Sequence, residues 1–240
     1  MTAIEAGRPA VKGSARRFYT VMAATIAVVV AAAFGPSYTS SLAPPGLPWW
    51  VHLHGAAMTA WITLFAVQAW LVGRRDLKLH RNLGFGGLAL ALAIVPLGFA
   101  TTMLCARRGA TPPFFTPAQM MADDMVDVLV FLALVSAAVV LRRRGEWHKR
   151  LLLCATVLLS WPAMGRLVGH WGHSLAAVIP VSTALLLALA LVGPVYDFVT
   201  RRTVHPAYAW GIGAIVLAQL GHTLLAASAP MAALAHWLAA

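Results

Sequence analysis

Read for polarity alone, the chain is a row of long apolar stretches separated by short polar turns. A membrane span needs about 20 predominantly apolar residues. Seven stretches qualify: 18–34, 49–72, 83–106, 125–141, 150–170, 174–199 and 205–228. Breaker-rich segments divide them, among them "GPSYTSSLAPPGLP" after the first and "RRGATPPFFTPAQ" after the third. The pattern predicts an all-α polytopic bundle, a single integral-membrane domain over 1–240 with seven transmembrane helices. The first run follows a basic leader without a clean small-x-small cleavage site, so it reads as an uncleaved helix. The tail "APMAALAHWLAA" (229–240) is too short to span and is expected along the interface.

Composition agrees with that pattern. The 240 residues are 60% hydrophobic and 10% charged, against about 25% charged in a soluble domain. The net charge of +11 would suggest nucleic acid in a soluble protein, but its distribution points to lipid. Arg8, Lys12, Arg16 and Arg17 precede the first run; Arg74, Arg75, Lys78 and Arg81 follow the second. Arg142, Arg143, Arg144, Lys149 and Arg150 follow the fourth, and Arg201 and Arg202 follow the sixth. Only Arg107, Arg108 and Arg166 remain for the other side. The positive-inside rule then puts the N-terminus in the cytoplasm and the C-terminus outside, in a bacterial inner membrane. The bilayer is the expected partner, and nucleic acid is not.

The basic turns also echo one another. "RRDLKLHR" (74–81), "RRRGEWHKR" (142–150) and "RRTVHP" (201–206) each carry a histidine near the start of the next run. Runs two to seven therefore read as three helical hairpins, either a true repeat or basic loops that resemble one another by default.

Chemistry-bearing residues gather toward the outer side: His52 and His54, Asp123, Asp124 and Asp127, Arg166, His170 and His173, and His222. An ionisable group inside a span is expensive, so such residues face the bundle interior and mark function. Arg166, His170 and His173 share one helix face by spacing, as do His54, Met58, Trp61, Phe65 and Gln68. His52 lies about 200° around the helix from His54, and with Trp49 and Trp50 it reads as part of an aromatic belt. His54 and His222 sit at matching depth on different helices, as a bis-histidine haem requires. For haem b the candidates are His54, His170, His222 and Arg166. For a transition metal they are His54, Asp127, His170, His173 and His222. The plainer alternative is a buried network in which histidines bond Asp127, Gln68 or Gln219 across helices.

Other motifs carry less. "DDMVD" (123–127) spells an aspartate-rich diphosphate motif but lacks a facing acidic partner. Asp123 or Asp124 is expected to cap a helix, and Asp127 to pair with Arg166. His80, His148 and His205, at the cytoplasmic edge, read as interfacial residues or as ligands on that side. Pro162 is expected to kink the fifth helix. "LGFGG" (83–87) follows no strand and reads as close helix packing. Cys105 and Cys154 form no metal-type spacing and read as core.

Trp61, Gln68, "LHRNLG" (79–84) and "EWHKRLLL" (146–153) resemble uncharacterised bacterial multi-helix membrane proteins, some placed near the cytochrome b561 and ferric-reductase-like haem proteins. The resemblance covers roughly residues 52–170 and implies a helical bundle that binds b-type haem and passes electrons to other membrane redox proteins. It departs in setting His80 and His148 at the membrane edge, so it carries over one haem near the outer face. The competing expectations are a transporter or small-ligand sensor whose His, Asp and Arg groups form a pocket without a cofactor, and a non-catalytic assembly partner.

Overall fold

The computed structural model describes residues 9–36, 46–172 and 174–239. Among these residues the secondary structure is helical, with no strand. The helices are α1 (Pro9–Phe34), α2 (Trp49–Arg74), α3 (Leu77–Arg107), α4 (Pro117–Val140), α5 (Gly145–Leu158), α6 (Trp161–His170), α7 (Leu175–Arg201), α8 (Pro206–Ala226) and α9 (Ala229–Ala239). Six segments are long and apolar enough to cross a membrane: Ala15–Phe34, Trp49–Arg74, Leu77–Arg107, Gly145–His170, Leu175–Arg201 and Pro206–Ala226. This is the architecture of a multi-pass membrane protein that contacts the lipid bilayer. The expected count was seven. The remaining long helix, α4, has 24 residues but carries three aspartates in its N-terminal half.

Local chemistry sets the ends. α4 begins eight residues before the apolar run because Thr116 opens a capping box. Its hydroxyl accepts from Gln119 N, and the Gln119 side chain accepts from Thr116 N, with Pro117 in the first turn. Asp123 and Asp124 therefore do not cap α4; they lie within it. α3 starts at Leu77, ahead of the expected 83, because Asp76 Oδ1 accepts from Leu79 N at 3.1 Å. α2 closes on Arg75 and α7 on Arg202, both left-handed with φ of 65° and 59°. That conformation costs a non-glycine residue about 1–2 kcal/mol. Two of the three echoing basic turns thus share one backbone solution.

The fifth apolar run is one segment in sequence and two helices in space. α5 ends at Leu158 and α6 starts at Trp161. Pro162 has no N–H for the carbonyl four residues back, so the ladder is interrupted there. Ser160 compensates in part: its hydroxyl donates to Val157 O at 2.6 Å, and its carbonyl accepts from Ala163 and Met164 N–H. The α5–α6 segment is also the interior of the bundle. Of its most apolar stretch 78% is buried, against 17–28% in the other five candidate spans. α5 packs on α4, α7 and α8, and α6 on α1 and α7. Trp61, Phe131, Leu158, Trp161 and Ile215 meet in the resulting core. The tail is α9, which packs across α3, α4 and α8.

At the end of the bundle that carries the basic turns, Arg150 is fully buried and bonds Asp197 through Nε and Nη2, at 2.7–2.9 Å. Glu146 Oε2 accepts from Arg150 Nη1 at 2.6 Å and from Arg201 Nη1 at 2.8 Å. The Arg150 guanidinium lies over the Tyr208 ring, and the Tyr208 and Tyr19 hydroxyls are 3.3 Å apart. Gly193 makes room for that ring, since a Cβ there would meet Tyr208 at 2.5 Å.

Breaking a buried ion pair by removing one partner costs about 3–5 kcal/mol, whereas replacing both with apolar groups is often neutral. Arg150→Met alone is expected to lower thermal stability in detergent sharply, and Asp197→Leu with it to recover most of the loss. A second expectation concerns α8, whose N-cap is His205: its Nδ1 accepts from Ala207 N at 3.1 Å. Only the deprotonated nitrogen can accept. Burial, then the nearby Arg150 charge, hold the His205 pKa below its ordinary value. The cap is thus intact above the ordinary imidazole range and lost as pH falls through the lowered value. His205→Asn is expected to flatten that acid-side loss in thermal unfolding read against pH.

Candidate functional site

At the opposite end, α4 turns Asp123 and Asp127 to the same side, one helical turn apart. α8 brings His222 between them. Its Nδ1 lies 2.8 Å from Asp123 Oδ1 and its Nε2 3.0 Å from Asp127 Oδ1. Asp123 and Asp127 are each 5% exposed and His222 9%. Beside them, the Thr102 hydroxyl on α3 donates to Asp124 Oδ2. Gly98, one turn before Thr102, allows the close α3–α4 approach: a Cβ there would meet the Val128 side chain at 2.9 Å.

The proton arithmetic of this cluster is constrained. Each of the two nitrogen–carboxylate contacts needs one hydrogen. A neutral imidazole supplies one, so the second must come either from imidazolium or from a protonated carboxyl. In both cases the three groups hold two hydrogens between them, in a place poor in water. Asp124 adds a third carboxyl. A bare, unpaired charge in such a buried setting would be costly, and the contacts to His222 and Thr102 avoid it.

A separate polar chain runs through the core from the same helix, α8. Gln219 lies one turn before His222 on α8. Its Oε1 accepts from Thr183 Oγ1 on α7 at 3.1 Å, and Thr183 Oγ1 accepts from Trp161 Nε1 at 3.2 Å. Trp161 is the first residue of α6, beside the helix break. Gln219 Nε2 is buried with no hydrogen-bond partner. Such an orphaned donor is rare in a settled core and marks a place where a further polar group can be received.

Of the residues expected from sequence, Asp127 and His222 come together. Asp127 pairs with His222 instead of Arg166. Arg166 is exposed on α6, with its guanidinium 4.6 Å from the Phe34 ring centroid. His170 is exposed at the end of α6. His54 is half-buried and His52 exposed on α2. α2 packs on α1 and α3, whereas α8 packs on α4, α5, α7 and α9. His173 lies outside the described residues. Among the described residues, no group of three His, Cys, Asp or Glu side chains is arranged to hold a metal ion. An axial-ligand pair does not fit this geometry either. Both ring nitrogens of His222 are engaged by carboxylates. Thr102 and Thr183 carried no signal in the sequence, since a lone threonine in an apolar helix is common. Asp123 did, through its four-residue spacing to Asp127.

The basic-end histidines act structurally where their bonds are visible. His148 Nδ1 donates to Ala138 O at 2.8 Å, tying α5 to the end of α4, and its ring meets His80 edge-on at 6.4 Å.

Because His222 separates two buried carboxyls, His222→Ala leaves them facing one another. It is expected to cost about 3–5 kcal/mol, and more than Asp124→Asn, in detergent-phase thermal unfolding. In a double-mutant cycle, His222→Ala and Asp127→Ala should be strongly non-additive. No family model, curated protein or solved structure matches the chain.

Proposed function

We propose that the chain is a proton-coupled transporter of the bacterial inner membrane. On this reading it spans the membrane seven times, counting α4, with the N-terminus inside and the His222 cluster toward the outside. The observation that carries the reading is His222 held between Asp123 and Asp127, both of its ring nitrogens engaged. Such a unit gains or loses a proton by moving hydrogens across bonds of 2.8–3.0 Å, without exposing an unpaired charge.

Two further features favour transport. The central segment is a broken helix, and discontinuous helices are the usual place where transporters bind substrate. The basic end is closed by a layer of ion pairs, Arg150 with Asp197 and Glu146 with Arg201. Ion pairs of that kind can separate and reform when one group of helices rocks against another. The chain from Trp161 through Thr183 to Gln219 leads from the break to the helix that carries His222. In this scheme protonation of the cluster loosens the α4–α8 contact, and the polar chain receives the solute. Haem-based electron transfer gains no support from the same residues.

The test uses everted inner-membrane vesicles holding a respiration-driven pH gradient, read with a pH-sensitive dye. Cationic, anionic and neutral solutes are added in turn. At least one class is expected to dissipate the gradient with the intact protein, and none with Asp127→Asn or His222→Gln. Failure of every class with the intact protein overturns the reading. So does a Soret band in the purified protein that His222→Ala abolishes.

A further inference from the structure

Nine methionines occur in the chain, and five of them pack into one small cluster. Met103 comes from α3, Met120, Met121 and Met125 from α4, and Met231 from α9. Cys105 joins them from α3. The remainder of the cluster is Ala, Leu and Phe. At the chain's mean frequency of nine methionines in 240 residues, a patch this size would hold about one. Met120, Met121 and Met231 are at most 7% exposed, so these three side chains lie inside the protein.

Methionine is a common gap-filler in cores, and one or two would need no further reason. This concentration differs in three respects. Five thioethers and a thiol arrive from three helices, two consecutive in the chain and the third from its C-terminal end. The donor type that the cluster's own side chains supply is sulfur. And the cluster borders carboxylates: Asp124 lies on α4 between Met121 and Met125, and Thr102, its hydrogen-bond donor, lies three residues before Cys105 on α3. Soft donors in a locally negative setting select soft monovalent cations, because thioether and thiolate sulfur prefer Cu(I) over Zn or the hard divalent ions.

We propose that the sulfur cluster formed by α3, α4 and α9 is a binding site for a soft monovalent metal ion of the Cu(I) class. The site is distinct from the His222 cluster, and its donors are thioethers and one thiol instead of imidazole and carboxylate. The inference does not rest on the proton-coupled reading.

The test uses the purified full-length protein in detergent. Ag(I) serves as a redox-inert probe, and Cu(I) is supplied under reducing conditions against a competing chelator, with retained metal measured by elemental analysis. The intact protein is expected to retain about one equivalent of either ion and no Zn(II), as a single soft-donor site implies. Methionine-to-leucine changes conserve volume and leave cores folded, so the variants remain testable. Met120→Leu with Met231→Leu is expected to weaken retention by about tenfold or more, on the order seen when metal-site groups are lost. Met22→Leu and Met164→Leu, which lie in the other core, are expected to leave it unchanged. No retention by the intact protein overturns the proposal. So does equal retention by the Met120/Met231 variant, or loss in Cys105→Ala alone with the methionine variants unaffected. Metal retention is measured without a pH gradient, so its outcome is separable from that of the transport assay.

Discussion

The bundle is organised around the buried contact between Arg150 and Asp197. Both side chains are 1% exposed, in a chain whose other surroundings are apolar. Desolvating two such charges costs several kcal/mol per ion, and the attraction repays it only when the remaining hydrogen-bonding capacity is filled. Here it is filled from several helices. Glu146 takes the second face of the guanidinium from within α5, Tyr208 of α8 covers it, and the backbone N–H of His205 bonds Asp197 at 3.3 Å. α5, α7 and the start of α8 are therefore fixed to one another at a single point. Tyr19 of α1 reaches the same point through the Tyr208 hydroxyl. Loss of Arg150 or Asp197 alone leaves the other as an uncompensated buried charge.

The bundle is consequently asymmetric along its length. One end is cross-linked by full ion pairs with an excess of cations; the other holds carboxyls and an imidazole in hydrogen bonds, with no guanidinium between them. Between the two, the buried α5–α6 segment keeps its polar atoms satisfied locally. Thr156 Oγ1 donates to Leu152 O and Ser160 Oγ to Val157 O, while Trp61 and Trp161 send their indole N–H groups to Thr156 and Thr183. The basic end is held together by ion pairs across helices, and Pro162 leaves the backbone ladder of the central segment interrupted.

Much of this was legible in the sequence, and the rest was hidden for identifiable reasons. Apolar runs and basic turns located the long helices, because hydropathy is a local property. Helix starts were misplaced where capping side chains lay outside the apolar run, as with Thr116 and Asp76. Pro162 signalled the break. Arg150 was read as one more cation in a basic turn, since nothing local separates it from Arg142 or Arg144. Its partner lies 47 residues away. His54 and His222 were paired on depth, but depth is one coordinate of three. The structure engages both ring nitrogens of His222 with carboxylates. Asp127 enters the buried-network alternative as a partner for a histidine on another helix, and His222, 95 residues away, is that histidine.

α4 shows why fold and site are inseparable here. A helix with three carboxyls is a poor membrane span by itself, since each ionised group facing lipid would cost about 2.5–3.5 kcal/mol. On α4 the acids are turned inward: Asp123 and Asp127 are buried, while Leu129 and Val140 on the same helix are 52% and 75% exposed. The neighbours then supply what lipid cannot. α8 brings His222 to two of the acids, α3 brings Thr102 to the third, and α9 covers the adjoining sulfur-rich side. Each carboxyl thus has a partner only in the assembled bundle. The groups that make α4 a poor solitary span are the same groups that give this end of the protein its chemistry.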